Sequence, residues 1–295
     1  MTTLDPAVRT VVGVDLDDID CYHAIHGLPA PRRTGLALSR WLPRFVQLFA
    51  ELDVHATFFV IGRDADGHED TLRGLVDAGH ELGNHSYAHA YDLSRWSNAD
   101  LAADLRRCDR LLRDAGAQPQ GFRAPGYTHD ARMLRAVAEL GYAYDSSALP
   151  SPPYYLAKLG VMAAMRVRGR ASASVASGAR TFLGPTAPHF RDDVGLWSLP
   201  ISVTSFGRVP IIGTSLLASA LARPLAWAAR RRDFLNLELH AIDLADAGAD
   251  DLSPALVRRQ PELRVPLAMR RERLRALLLG RGGASPLRDV VPGGT

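Results

Sequence analysis

The sequence predicts an α/β fold of the parallel-barrel kind, and three observations predict it. Short aliphatic runs alternate with helical patterns along most of the 295 residues, the signature of repeated βα units. About seven such runs occur, enough to close a barrel. Blocks of His, Asp, Arg and Tyr fall just after these runs, where a barrel of parallel strands carries its site.

The elements follow in order. Residues 10–14, Thr-Val-Val-Gly-Val, read as the first strand. Residues 36–52 predict a helix that turns Trp41, Phe45, Leu48 and Phe49 inward. A strand at 55–61 and a helix at 70–78 come next, then a short strand at 81–84 ahead of a histidine pair. Residues 98–115 predict an amphipathic helix with Leu101, Leu105, Cys108, Leu111 and Leu112 on one face, which makes Cys108 a small buried hydrophobe. The series continues with strands at 121–124, 143–145 and 196–201 and a helix at 131–140, and it ends in a buried strand at 234–239.

Two stretches break this rhythm: a Pro-bounded insertion at about 148–195 and an apolar segment at about 209–229. Neither reads as a membrane span, because Lys158 interrupts the first and Arg223-Pro224 the second. They read as helices packed on the barrel wall, or alternatively as a surface that meets a membrane or a lipid-linked substrate. Arg166, Arg168 and Arg170 trailing the first insertion suit the second reading. Residues 1–295 are then one catalytic domain carrying these two additions.

Composition narrows the class. A chain that is 47% hydrophobic and 23% charged can bury a large core. The formal charge of +3 is small, and no basic cluster is interleaved with stacking aromatics, so nucleic acid is not an expected partner. No protein partner is inferable. Cys21 and Cys108 are too few for a disulfide framework. The first residues lack a basic region followed by an apolar one, so the expected location is the cytoplasm, with peripheral contact at the inner face of the cytoplasmic membrane.

The chemistry centres on His85-Ser86-Tyr87-Ala88-His89. Imidazoles four residues apart share one face if the segment turns into a helix, and both can then bind one metal. An oxygen from Asp18 would complete a His2Asp set that leaves positions for water, as a hydrolytic metal requires. Zinc is the first expectation; cobalt, nickel and iron suit the same donors. Cys21-Tyr22-His23-Ala24-Ile25-His26 reads as a substrate-facing loop in which His23 or His26 offers hydrogen bonds, with a second metal site as the alternative.

Five blocks stand in a fixed order: Asp15-Leu16-Asp17-Asp18, His85 to His89, Arg123-Ala124-Pro125-Gly126-Tyr127, Tyr144-Asp145-Ser146-Ser147, and Leu235 to His240. In this order the chain resembles the polysaccharide deacetylase family, the NodB-homology or carbohydrate esterase 4 group, from about residue 10 to 240. The resemblance implies an irregular (β/α)7 barrel and metal-dependent removal of an acetyl or formyl group from an amino sugar or glycan, whether free, polymeric or lipid-linked. It implies Asp17 as general base, Asp18, His85 and His89 as metal ligands, and His240 as the acid for the departing nitrogen. Arg123 would pair with the catalytic carboxylate, and Asp145 with Arg123 or His240. Gly126 takes the place of the family's oxyanion donor, with Tyr127 after it. The extra acids of the first block leave a second register open, with Asp15 as base and Asp17 as ligand. Ala241 after His240 is similar to the branch acting on lipid-carried aminoarabinose. Two other readings stand beside this one. One is hydrolysis of a non-sugar C–N bond, favoured by a pocket poor in aromatics; the other is a silent carbohydrate-binding protein, disfavoured by the full set of ligand types.

Overall fold

A computed structural model describes residue 5 and residues 7–32, 34–167, 169 and 182–292. The first strand, β1 (Thr10–Asp15), has Val11, Val12 and Val14 fully buried. A strand covered on both faces has no polar side, which is how parallel strands between helices read. It leads into α1 (Ile19–Ile25) and, through a π-helical turn at Ala37–Trp41, into α2 (Leu42–Glu51). Trp41, Phe45, Leu48 and Phe49 of that stretch enter the core, as their spacing predicts.

Next come β2 (Thr57–Val60), α3 (Glu69–Asp77), β3 (Glu81–Asn84), α4 (Asn98–Asp114), β4 (Gly121–Phe122), α5 (Ala131–Ala138) and β5 (Tyr144–Asp145). The two longer boundaries are chemically set: Ser97 accepts the Asp100 N–H to start α4, and Asp130 accepts the Met133 N–H to start α5. The chain then forms α6 (Pro152–Val167), β6 (His189–Arg191), β7 (Leu196–Ser198), α7 (Ala222–Arg230), β8 (Leu235–His240) and α8 (Leu267–Arg281).

The strands make one eight-stranded sheet in the order β6-β7-β5-β4-β3-β2-β1-β8. Seven strands run parallel, and β6 pairs antiparallel with β7 at one edge. This is an irregular barrel of the expected type, with one edge strand more than the sequence predicted. His189-Phe190-Arg191 is too short and too exposed to show an alternation of its own.

The curled sheet closes through a seam. Ser202 donates to the Asn236 carbonyl at 3.0 Å, and the Asn236 N–H returns to the Ser202 hydroxyl at 2.9 Å. The Asn236 side-chain amide donates to the Leu199 and Pro200 carbonyls at 2.9 and 3.2 Å. Register places Asp15 beside His240, Val60 beside Asn84, Asn84 beside Phe122 and Phe122 beside Asp145. The strand ends therefore form one rim, and the residues that follow them emerge together.

The two insertions differ. Residues 209–229 supply a π-helical turn at Thr214–Ala218 and α7, whose Leu216, Leu217, Leu225 and Ala229 join the main core with Leu274, Leu277 and Leu278 of α8. In the first insertion α6 buries Tyr155 and leaves Leu156, Leu159, Val161 and Val167 exposed. Arg168 and Arg170 lie outside the described residues. Among those described, no helix is long and apolar enough to cross a membrane. Cys21 and Cys108 are both free and buried.

Asn236 is fully buried at the seam, so removing its amide strands the Pro200 carbonyl in the interior and takes one of two donors from the Leu199 carbonyl. Asn236→Ala is expected to lower unfolding stability by about 1–3 kcal/mol, the usual cost of buried unsatisfied polar groups. Denaturant melts within a few tenths of a kcal/mol of wild type would show that the seam closes without it.

Candidate active site and metal centre

At the rim, β1 ends in Asp15 and its alternation continues for two residues. Successive side chains of an extended segment point to opposite faces, so Asp15 and Asp17 turn inward while Leu16 enters the core. Asp18 goes elsewhere. Its carboxylate accepts the backbone N–H groups of Gly35 and Ala37, at 2.5 and 2.9 Å, and so fastens the approach to α2 onto the end of β1. The expectation that Asp18 sits with the histidines is thus corrected: Asp17 occupies that place, because side chains two apart share a face and adjacent ones do not.

His85 follows β3 directly. Its Nδ1–H donates to the Arg123 carbonyl at 2.7 Å, which fixes the tautomer and leaves the Nε2 lone pair facing inward. That Nε2 lies 3.4 Å from Asp17 Oδ1, and His89 Nε2 lies 3.3 Å from the same oxygen. The rings are 4.9 Å apart between centroids. They do not meet on a helix. Residues 85–89 form an irregular loop with Ser86 and His89 at positive φ (64° and 52°). The loop is held by neighbours: Asn84 Oδ1 accepts the Ser86 N–H, Ser86 Oγ accepts the His89 N–H, and Asp104 of α4 accepts the N–H groups of Tyr87 and Ala88. Asp104 is legible in hindsight as an acid on the apolar face of its helix.

Asp17 Oδ1 and His89 Nε2 are buried with no hydrogen-bond partner. Two imidazole nitrogens and a carboxylate oxygen within 4.8 Å of one another are the donor set of a divalent ion, so the residues fit one. Burial works against the charge on Asp17, but His89 and His85 outweigh it and hold the carboxyl well below its usual range. His85 is raised despite burial, chiefly by Asp15 and Asp17.

Arg123 is fully buried inside the barrel. It donates to Asp15 Oδ1 at 2.6 Å, to the Ser146 carbonyl at 3.0 Å and to the Ser146 hydroxyl at 3.1 Å, and its guanidinium stacks over Phe59. Gly13 admits it: a Cβ there would stand 2.8 Å from one guanidinium nitrogen. Asp15 Oδ2 lies 3.7 Å from His85 Nε2 and 4.0 Å from His240 Nε2. His240, on the neighbouring strand, is 3.9 Å from Glu238 Oε1. Burial opposes its charge, yet Glu238, Asp15 and Asp17 raise its pKa to about 9. Glu238 itself is pushed up to about 7 by burial, which the charge of His240 only partly offsets.

Other expected residues fall differently. Asp145 pairs with neither Arg123 nor His240: its Oδ1 is taken by the N–H and hydroxyl of Ser147. Tyr127 uses its N–H to close a turn on the Ala124 carbonyl and sends its hydroxyl to Glu238 at 2.9 Å, so it has no free amide for an oxyanion. Gly126, at φ 59°, lines the cavity. The segment at 21–26 is helix α1 and not a loop, and it presents Tyr22 and Ile25 to the cavity. His23 is tied to the Pro29 carbonyl and His26 to Gln260.

The cavity holds about 170 Å³, with Asp15, Asp17, His85 and His240 on its floor and Tyr22, Tyr91, Tyr127 and Tyr154 in its walls. With this geometry in place, the comparisons are direct. The family model described as polysaccharide deacetylase matches residues 30–144. Over that segment the chain is similar to the polysaccharide deacetylase family. A peptidoglycan deacetylase of Helicobacter pylori is 26% identical over 155 residues, covering 50% of this chain and 53% of that protein. A chitin deacetylase of Colletotrichum lindemuthianum is 33% identical, covering 38% and 47%. A chitooligosaccharide deacetylase of Sinorhizobium fredii is 34% identical, covering 34% and 47%. The chain thus spans about half the length of the curated relatives it matches. The crystal structure of a candidate polysaccharide deacetylase from Mycobacterium smegmatis shares the fold, with a TM-score of 0.55 and 19% identity over 94% of this chain and 87% of that one. The matched segment holds His85, His89 and Arg123; Asp15 and His240 end strands outside it, and Asp17 follows the first of these.

A metal assay separates the two carboxylates. Asp17→Ala, His85→Ala and His89→Ala proteins are expected to lose most of their bound metal by elemental analysis. Asp18→Ala is expected to keep it while losing about 1–3 kcal/mol of stability from two unsatisfied N–H groups. A folded Asp18→Ala protein without metal would reverse the assignment.

Proposed function

We propose that this protein is a metal-dependent hydrolase that removes an acetyl or formyl group from the nitrogen of an amino sugar. The observation that carries this reading is the convergence of Asp17, His85 and His89 beside a second pair, Asp15 and His240, at one barrel rim. Support comes also from the relatives, whose names give peptidoglycan, chitin and chitooligosaccharides as substrates. Four tyrosines in the cavity wall suit the apolar faces of a sugar ring and speak against a pocket built for a small non-sugar amide.

Asp17, His85 and His89 would hold the ion, for which zinc, cobalt, nickel and iron are all chemically suited. When bound, such an ion polarises the acyl carbonyl and lowers the pKa of a water molecule. Asp15 is the general base in this scheme. Arg123 grips one of its oxygens and leaves the other facing the cavity, placed to take the proton of the attacking water. His240 is the acid: protonated at neutral pH, it delivers its proton to the departing nitrogen, with Glu238 behind it supporting the imidazolium. Gly126, with no side chain at the cavity edge, leaves room for the acyl group.

The finer reading is a lipid-linked sugar met at the inner face of the cytoplasmic membrane. It is supported by the exposed Leu156, Leu159, Val161 and Val167 of α6, close to the cavity and followed by Arg166.

Three tests follow. Asp15→Asn, which keeps the shape of the buried pair, is expected to retain metal and lose about two to four orders of magnitude in kcat; wild-type turnover would remove Asp15 as base. The activity that depends on protonated His240 is present below its raised pKa and lost as pH rises through about 9. His240→Ala should therefore lower kcat and abolish that alkaline limb, and an unchanged limb would assign it to another group. Binding to anionic liposomes is expected to weaken in a Leu156→Ser/Leu159→Ser protein. If wild type ignores anionic liposomes altogether, the membrane reading fails.

A further inference from the structure

Lys158 is the only lysine among 35 basic residues, and it stands in the cavity wall. Its helix is firmly placed. Ser151, fully buried, accepts the N–H of Tyr154 at 3.3 Å, Tyr155 is buried, and the Tyr154 ring meets Tyr127 edge-on at 5.5 Å between centroids. Tyr154 and Lys158 are one turn apart on the same helical face, so the packing that seats the tyrosine also aims the lysine. The Lys158 Nζ reaches only the Gly126 carbonyl, at 3.4 Å, and among the described residues no carboxylate pairs with it. Burial alone acts on this ammonium and pushes it down to about 8.

A half-buried cation without a counter-ion is unfavourable unless something supplies the missing charge. A lysine, unlike an arginine, is a compact point charge with rotatable donors on a flexible stem, suited to an anion that arrives with a ligand. We propose that Lys158 recognises an anionic group, phosphate or carboxylate, carried by the substrate close to its N-acyl amino sugar. The inference deepens the deacylase reading and rests on it for the identity of the sugar.

The test uses metal-loaded wild type, Lys158→Gln and Lys158→Arg with three sugars: N-acetylglucosamine, its 1-phosphate and N-acetylmuramic acid. Wild type is expected to favour one of the two anionic sugars in kcat/KM by about tenfold or more, the worth of a charge-assisted contact. The favoured sugar identifies the anion as phosphate or carboxylate. Lys158→Gln should reduce that ratio to near one, and Lys158→Arg should restore part of it; a protein merely disturbed at α6 would lose all three sugars alike. Calorimetric binding of the same sugars provides a readout independent of turnover, and comparing the variants cancels any contact between phosphate and metal. Anion-dependent binding that vanishes in Lys158→Gln without any hydrolysis would sustain this inference and defeat the deacylase reading. Equal preference for neutral and anionic sugars in wild type, or a ratio unchanged in Lys158→Gln, would overturn it.

Discussion

The buried contact between Arg123 and Asp15 organises the rest of this barrel. An arginine with no exposed surface is costly unless every donor is used, and here the guanidinium is shared among a carboxylate, a carbonyl and a hydroxyl while its face lies on Phe59. Those partners sit on β1, after β5 and on β2, so one side chain measures the width of the barrel interior. Gly13 is a direct consequence, because any side chain there would occupy the guanidinium's place. The same pair orients the site: by holding one oxygen of Asp15 it decides which oxygen is left for chemistry.

The second organising device is a main-chain atom of the same residue. The Arg123 carbonyl receives the Nδ1–H of His85 and thereby commits the imidazole to present Nε2. Arg123 thus positions the candidate base through its side chain and a candidate ligand through its backbone. Its neighbours in register extend the coupling, since Asp15 lies opposite His240 on paired strands. The candidate base, acid and ligands are placed by strand pairing and not by loops alone, which keeps their separations short and fixed.

How much of this was legible in the sequence follows from length scale. β1 and β2 were readable as nearly continuous apolar runs and β8 as a row of alternating leucines, and the order of the five blocks followed from such segments. The register of the first block was not, because Asp17-Asp18 looks like a pair until the alternation of an extended chain is applied through Asp15; Asp18 then becomes a clamp for residues 35–37. The helix expected at His85–His89 does not form: Ser86 and His89 take left-handed backbone, and Asp104, far along the chain, holds the N–H groups of Tyr87 and Ala88 in the resulting loop. The resemblance implies a partner for Asp145 in Arg123 or His240, but Ser147 two residues later satisfies it first. Local hydrogen bonds of this kind compete with any role inferred from spacing.

A division of labour follows from where the cavity walls originate. The floor is made by strand ends that belong to the shared barrel. Besides Tyr22, Tyr91 and Tyr127, the walls take Tyr154 and Lys158 from the first insertion, Ile212 and Thr214 from the second, and Gln260 and Glu262 from the segment after β8. Glu262 is buried and bound by Thr214 and Gln260, and Gln260 by His26, so the wall is itself a connected polar network that ties α1 to the later segments. Reaction type in such a design depends on the rim, which tolerates little change because its residues share hydrogen bonds through Arg123. Substrate choice depends on the walls, where a residue such as Lys158 can differ without disturbing the buried pair beneath it.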